Sequence, residues 1–362
     1  LGLALVPDSL LLPLTLWVMV LTWRLSNDIS CRACWIWLGV ALGLAGLSKY
    51  TGVFLALGVA IVLLPQYGVS LFKSRGLYLA ALIALIFISP VIVWNAQNGW
   101  VSFTYQLTHA AGNQEWQLVH VLRFDLVQLL VYGALPLLGM VVFLWKLQGK
   151  HPALARITLA FGLPIFVLAA YSAGRNSALP HWTAGAWLAF LPAATLGLQH
   201  LWHAYKEGRK AMWILTCGLG IWQALSVLTL GLVMATGGQW QGRALIQGAQ
   251  GVGNPFADLY DWKEASQQAA KLKVEHNANA LAVGNWTLAS RLAWYSRATV
   301  WALDGKNKQF DMWFSKLEYG QTYIWVDWSQ MRMPKPVGCQ KLEANAYAGK
   351  YSQFDFYKCG RV

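Results

Sequence analysis

The sequence predicts an α-helical polytopic membrane protein of about eight visible spans, followed by a small C-terminal α/β domain on the extracytoplasmic side. Three observations lead there. Hydrophobic residues make up 57% of the 362 and charged residues only 12%, where ordinary soluble domains carry about 25% charged. The charge is also unevenly spread: residues 1–235 hold 5 acidic and 13 basic side chains, and residues 236–362 hold 10 and 15. Finally, the first part is a succession of apolar runs with short polar breaks, while the last third has the mixed composition of a water-soluble domain.

The boundaries follow from these shifts: a multispan domain over 1–235 and an α/β domain over 236–362. The net charge of +13 forms no basic patch. In the first part the cations gather in short clusters between apolar runs, as membrane orientation requires. Nucleic acid is therefore excluded as a partner, and membrane lipids are the expected surroundings.

The apolar runs fall at about 9–24, 34–48, 51–65, 77–94, 124–146, 157–173, 183–201 and 211–235. A straight crossing of a ~30 Å hydrocarbon core needs about 20 residues, so several runs are full length and three are short. Residues 34–65 pose a choice, because "SKYT" at 48–51 interrupts them. Two helices there put Arg24, Arg32, Lys73, Arg75, Lys146, Lys150, Arg156, Lys206, Arg209 and Lys210 on one side. Only Lys49, Arg123 and Arg175 then stay on the other, as the positive-inside rule requires. One fused helix would place Lys73 and Arg75 on the wrong face. The two-helix reading puts Asp8, Lys49, the loops 95–123 and 174–182, and the C-terminal domain outside.

Polar chemistry collects on that outer side. Asp8 stands in "VPDSL" at the mouth of the first span. Lys49 and Tyr50 lie in "GLSKYTG", between two short helices. An ammonium at membrane depth is costly unless it meets a partner or a cavity; the competing reading is a lysine that snorkels to head groups. Residues 89–117 bring Asn95, Trp100 and His109, amides interleaved with aromatics, which suit a sugar or an interfacial belt. Residues 171–187 bring Arg175 and His181. The planar fork of an arginine matches phosphate oxygens, although a lipid head group would serve as well.

Other signatures are missing from the sequence. It has no P-loop, no G-x-S-x-G, no H-E-x-x-H and no dinucleotide fingerprint. Cys31 and Cys34 form an isolated C-x-x-C on the inner side, where reduced thiols are the default. Asn285-Trp286-Thr287 matches a glycosylation triplet that arises often by chance. In the last third, residues 257–276 carry a helical stripe through Leu259, Trp262, Ala265, Ala269 and Leu272. "ALAVGN", "TVWAL", "TYIWVDW" and "FDFYKC" read as strands. Cys339 and Cys359 would pair in an oxidising compartment. The tryptophans there are read mainly as core.

Four segments in order, "VPDSLLLPLTLWVMVLTWRL", "LGVALGLAGLSKYTGVFLALG", "SPVIVWNAQNGWVSFTYQL" and "LPHWTAGAWLAFLPAA", resemble bacterial membrane glycosyltransferases of the GT-C class. The nearest branch holds the protein O-mannosyltransferases and the aminoarabinose transferase that modifies lipid A. The resemblance runs from about residue 5 to residue 200, and 254–272 is similar to the start of the outer domain in bacterial members. It implies an inverting-type transfer of a sugar from a polyprenyl-phosphate donor to a glycolipid or protein acceptor, at the outer face of a bacterial inner membrane. The C-terminal domain is then periplasmic.

By the same resemblance Asp8 matches a catalytic carboxylate of the second outer loop and Lys49 the basic residue beside the donor phosphate. A first outer loop with its own acid, the expected base, is looked for ahead of Leu1. Arg175 is assigned to the phosphate, and Tyr50, Asn95, Trp100, His109 and His181 to substrate. A divalent ion is the one cofactor considered, with Asp8 and His181 as its available ligands. A lipid-linked-sugar flippase and a degenerate membrane scaffold are the alternatives. A flippase needs a polar path through the bilayer, whereas here the polar residues gather at one face.

Overall fold

The computed structural model describes residues 7–111, 115–175, 178–206, 210–236, 239–240, 243–244, 260–303, 308–314, 317–350 and 352–360. They divide into two compact units, Leu1–Val227 and Leu228–Val362.

The first unit is built of helices. α1 (Pro7–Asn27), α2 (Arg32–Ser48) and α3 (Val53–Tyr67) come first, with a 3₁₀ turn over Tyr50–Gly52 between α2 and α3. α4 (Arg75–Gln97), α5 (Val101–Ala111), α6 (Leu118–Tyr132) and α7 (Ala134–Val142) follow. A π-type turn, Phe143–Leu147, extends α7. α8 (Pro152–Gly174), a 3₁₀ turn Pro180–Thr183, α9 (Ala184–Lys206) and α10 (Lys210–Ala235) complete the series, α10 running on past Val227. α1 packs on α2, α3 and α9, and its buried Leu11, Val18, Leu21 and Leu25 join Trp35, Leu38, Leu55 and Phe161 in one core.

Close helix approach has a visible cause at α2 and α4. A Cβ added at Gly39 would lie 2.6 Å from Ala80 O, and one at Gly43 2.6 Å from Phe87 Cβ. Small residues let two backbones meet where lipid supplies no hydrophobic drive between helices.

The interruption at 48–51 does separate two helices. The sequence predicts about eight spans, three of them short; fewer helices qualify among the described residues. By length and apolarity five can cross a bilayer: α1, the stretch Tyr50–Lys73, α4, α8, and Trp213–Ala235 within α10. The run 124–146 is broken rather than continuous: α6 and α7 meet at 99° and qualify only together, as a sixth. Gly133 makes the break. Its φ of 87° lies in the left-handed region, and a Cβ there would sit 2.1 Å from the Gln223 side chain, so both torsion and space favour glycine. α2, with 17 residues, is shorter than a span. The helices are those of a multi-pass membrane protein.

Cys31 and Cys34 are joined as a disulfide, against the expectation of free thiols. Their Cα atoms are 5.3 Å apart at the start of α2, within the reach of the bond. That spacing is set by the helix turn, which compartment reasoning ignores.

The second unit is a mixed sheet with helices. A short antiparallel pair, β1 (Gln239–Trp240) and β2 (Arg243–Ala244), precedes it. Then come α11 (Trp262–Glu275), β3 (Ala280–Val283), α12 (Trp286–Ser296), β4 (Val300–Ala302), α13 (Lys308–Phe314) and β5 (Thr322–Trp328). β6 (Gln340–Lys341), β7 (Tyr347–Ala348) and β8 (Gln353–Gly360) end the chain. The order is β4-β3-β5-β8-β6, parallel across β4, β3 and β5 and antiparallel from β5 onward, with β7 also on β8.

Alternation along β5 sends Ile324, Val326 and Trp328 to the core shared with α11 and α12, and Tyr323 and Trp325 to the opposite face. Cys339 and Cys359 are bonded, as expected. Of the tryptophans, Trp262, Trp301, Trp325 and Trp328 are buried, while Trp286, Trp294 and Trp313 are exposed. Asn285 of the glycosylation triplet caps α12, its Oδ1 accepting from Leu288 N at 3.0 Å. Residues 254–259 and Asn176 lie outside the described residues.

Candidate functional site

Two helix ends produce the central feature. Asp8 lies in the first turn of α1 and Lys49 is the residue that ends α2. The helix dipole favours an anion at the first position and a cation at the second. The two meet: Lys49 Nζ donates to Asp8 Oδ1 at 2.9 Å and to Oδ2 at 3.0 Å. Asp8 is only 6% exposed. Ser48 Oγ donates to Pro7 O at 2.6 Å, fastening the same two ends beside the ion pair. Asp8 and Lys49, which the sequence brought forward separately, are therefore one unit.

Aromatic rings adjoin it. The Tyr50 ring lies 5.0 Å from Phe103, and the Trp100 ring lies 5.7 Å from Phe103. Trp100 is half exposed and holds a φ of 57°. Asn95 makes that turn possible and is buried within it. Its Nδ2 donates to Val91 O at 2.9 Å, its Oδ1 accepts from Ser102 N at 3.1 Å, and its carbonyl accepts from Trp100 N at 2.7 Å. The Asn95 amide is thus spent on joining α4 to α5. His109 lies on α5, and its side chain is outside the described residues.

His181 comes from the turn Pro180–Thr183. It is half buried, and its ring makes no hydrogen bond among the described residues. Desolvation lowers its pKa below 6.5, the Lys49 charge lowers it further, and the Asp8 charge works the other way. Both members of the ion pair are thus near enough to act on this imidazole, which is kept neutral at neutral pH.

α6 holds the His181 turn in place, and sequence reasoning passed over the residues responsible. Gln128, in the midst of an apolar run, is fully buried. Its Nε2 donates to Pro180 O at 3.3 Å, and its Oε1 accepts from Trp187 Nε1 at 3.0 Å and from the Thr183 hydroxyl. Tyr132 Oη also donates to Pro180 O at 3.3 Å and stacks on Trp187 at 5.4 Å. One turn before Gln128, Asp125 has a buried oxygen with no hydrogen-bond partner among the described residues. A lone amide or carboxylate within an apolar run was the available signal.

Arg175 follows α8. Its Nε is buried without a partner among the described residues, and its guanidinium carbon lies 5.8 Å from the Tyr171 ring. No hydrogen bond or ion pair joins it to Asp8 or Lys49.

The donor set offers a metal ion little. Both Asp8 oxygens face an ammonium, and among the described residues no three His, Cys, Asp or Glu side chains gather. A divalent ion at Asp8 would first have to displace Lys49.

Residues 1–94 match the family model described as dolichyl-phosphate-mannose-protein mannosyltransferase. The matched stretch, 94 of 362 residues, contains Asp8, Lys49 and Tyr50 and ends before α5. It supports the likeness to GT-C glycosyltransferases over that stretch. No curated protein and no solved structure matches the chain.

Proposed function

We propose that the chain is part of a membrane glycosyltransferase that moves a sugar from a polyprenyl-phosphate donor to a hydroxyl acceptor at the outer face of a bacterial inner membrane, with inversion. The observation that carries this reading is the Asp8–Lys49 pair, whose carboxylate is buried. It lies inside the stretch similar to mannosyltransferases, with a neutral imidazole under its influence.

In the reaction the bond between the sugar's anomeric carbon and the phosphate oxygen breaks, and a bond to the acceptor oxygen forms. The polyprenyl phosphate leaves with the bonding pair. Lys49 stabilises that developing charge. Two of its three N–H donors are committed to Asp8, and the third is free for a phosphate oxygen. Asp8 is the group that aims the ammonium. Arg175 supplies the second cation, and its unpartnered Nε suits a phosphate oxygen.

His181, neutral and without a hydrogen bond among the described residues, accepts the proton of the attacking hydroxyl; a positioned base contributes about 10²–10⁴-fold. The Tyr50–Phe103–Trp100 rings form a platform for a sugar face. No step is routed through a metal ion. The flippase alternative has no observation in its favour.

The test is transfer of radiolabelled sugar from a polyprenyl-phosphate donor in membranes carrying the full-length protein. Asp8→Asn and Lys49→Ala should abolish transfer while insertion is unchanged, and His181→Gln should lower kcat with little change in KM. Near-wild-type turnover in Lys49→Ala would overturn the phosphate role. Normal kcat in His181→Gln would place the base elsewhere.

A further inference from the structure

Far along α1 from Asp8 lies a groove that the proposed reaction does not use. Its volume is about 540 Å³, within the range of ~300–1,000 Å³ typical of sites for small organic ligands. Leu16, Val20 and Trp23 of α1 and Ile157 of α8 line it, together with Lys150 and His151 from the segment ahead of α8. Leu16 to Trp23 spans about 10 Å of helix. The walls are apolar, no carboxylate lines the groove, and Val20 and Trp23 are about half exposed. Lys150 and His151 are exposed and make no side-chain hydrogen bond or ion pair among the described residues; the His151 ring only stacks 6.4 Å from Phe143.

We propose that this groove binds one anionic phospholipid. Its acyl chain lies along Leu16, Val20 and Ile157, and its phosphate meets Lys150 and His151. Charge complementarity selects this occupant. A zwitterionic lipid fills the apolar walls equally well but gains less from the Lys150 ammonium and the His151 ring beside it. Trp23 sits where chain and head group join, as amphipathic indoles do at membrane interfaces. The site is separate in residues and chemistry from the Asp8–Lys49 pair, and it stands whether or not the glycosyl-transfer reading does.

The experiment is native mass spectrometry of the full-length protein released from nanodiscs of equal phosphatidylglycerol and phosphatidylcholine. One phosphatidylglycerol should be retained in preference. Replacing both Lys150 and His151 by Ala should weaken that retention by about fivefold or more, from loss of roughly one surface charge or more. Val20→Trp, which fills the groove and leaves the charges intact, should also expel the lipid; both variants are on exposed positions and their helicity is checked by circular dichroism. Equal retention of the two lipids would overturn the proposal, as would retention unchanged in either variant. So would crosslinking of a Val20→Cys protein to a second copy or another polypeptide segment in place of lipid.

Discussion

Asp8 in the helical unit and Asp327 in the sheet unit are buried to the same degree, each 6% exposed, yet they are held in opposite ways. Asp8 has an ammonium on both oxygens. Asp327 stands directly across from Asp355 on the neighbouring antiparallel strand, and one of its oxygens has no hydrogen-bond partner among the described residues. Asp355 has a cation of its own, Lys341 Nζ at 3.4 Å. Desolvation therefore raises the Asp327 pKa above 3.8, with Arg332 and Lys335 opposing it and Asp355 reinforcing it. Burial alone does not mark a functional carboxylate. What faces the group decides whether it can steer a cation or becomes a site that takes up a proton.

The largest effect expected from this contrast is at the ion pair. Asp8→Ala strands an ammonium that is only partly exposed, and it should cost about 2–4 kcal/mol of stability besides abolishing transfer. Adding Lys49→Met should restore most of the stability and none of the transfer. Thermal unfolding in detergent, run as a double-mutant cycle, measures the coupling. Additive losses would mean that the two side chains do not depend on each other.

In the sheet unit the strongest constraint is covalent. Cys339 and Cys359 close a loop of 20 residues, and replacing both by Ser should cost about 3 kcal/mol by the chain-entropy argument. Chemical unfolding followed by near-ultraviolet circular dichroism would show it. A change below half of that would mean that β8 holds its register through packing alone.

Asp327→Asn should act in the reverse direction to Asp8→Ala. A carboxyl whose folded pKa is raised binds more protons folded than unfolded between 3.8 and its raised value. Its contribution to stability is present below the unfolded pKa and is lost as pH rises through the folded one. The neutral amide should remove this dependence and stabilise the unit at neutral pH by about 1 kcal/mol, since like charges directly opposite on two strands destabilise them. Stability measured from pH 4 to pH 8 tests this, and an unchanged slope would sink it.

These cases show which features were legible in the sequence. Apolar periodicity and cation clusters revealed the helical unit, and the polar break at 48–51 revealed where α2 ends, because composition acts locally. Asp8 and Lys49 could be singled out as costly charges, but not as partners. Their contact spans 41 residues and depends on how α1 and α2 pack. The bend at Gly133 was hidden in an apolar run, since only φ and the Gln223 contact distinguish that glycine from others. Gln128 was overlooked for the same reason: its importance lies in Pro180, Thr183 and Trp187, more than fifty residues away. Asn95 shows the reverse case, with a structural use that the sequence hides. An amide in an aromatic loop looks like a ligand group until the backbone turn that consumes it is seen.

The smallest expected effect is the most discriminating for the site. Burial and Lys49 lower the His181 pKa from 6.5, and Asp8 partly restores it. A histidine whose pKa is lowered on folding binds fewer protons than in the unfolded chain between the two values. Stability there falls as pH drops from 6.5 toward the folded pKa. Lys49→Met removes one lowering charge and should move His181 upward, whereas Asp8→Asn removes the raising charge and should move it down. Both shifts are small, because the imidazole is only half buried and solvent screens the two charges. Histidine nitrogen resonances, assigned with His181→Gln, would resolve them. Opposite shifts would show that one imidazole senses both members of the pair. Two unmoved titrations would separate His181 from the pair and remove it from the reaction.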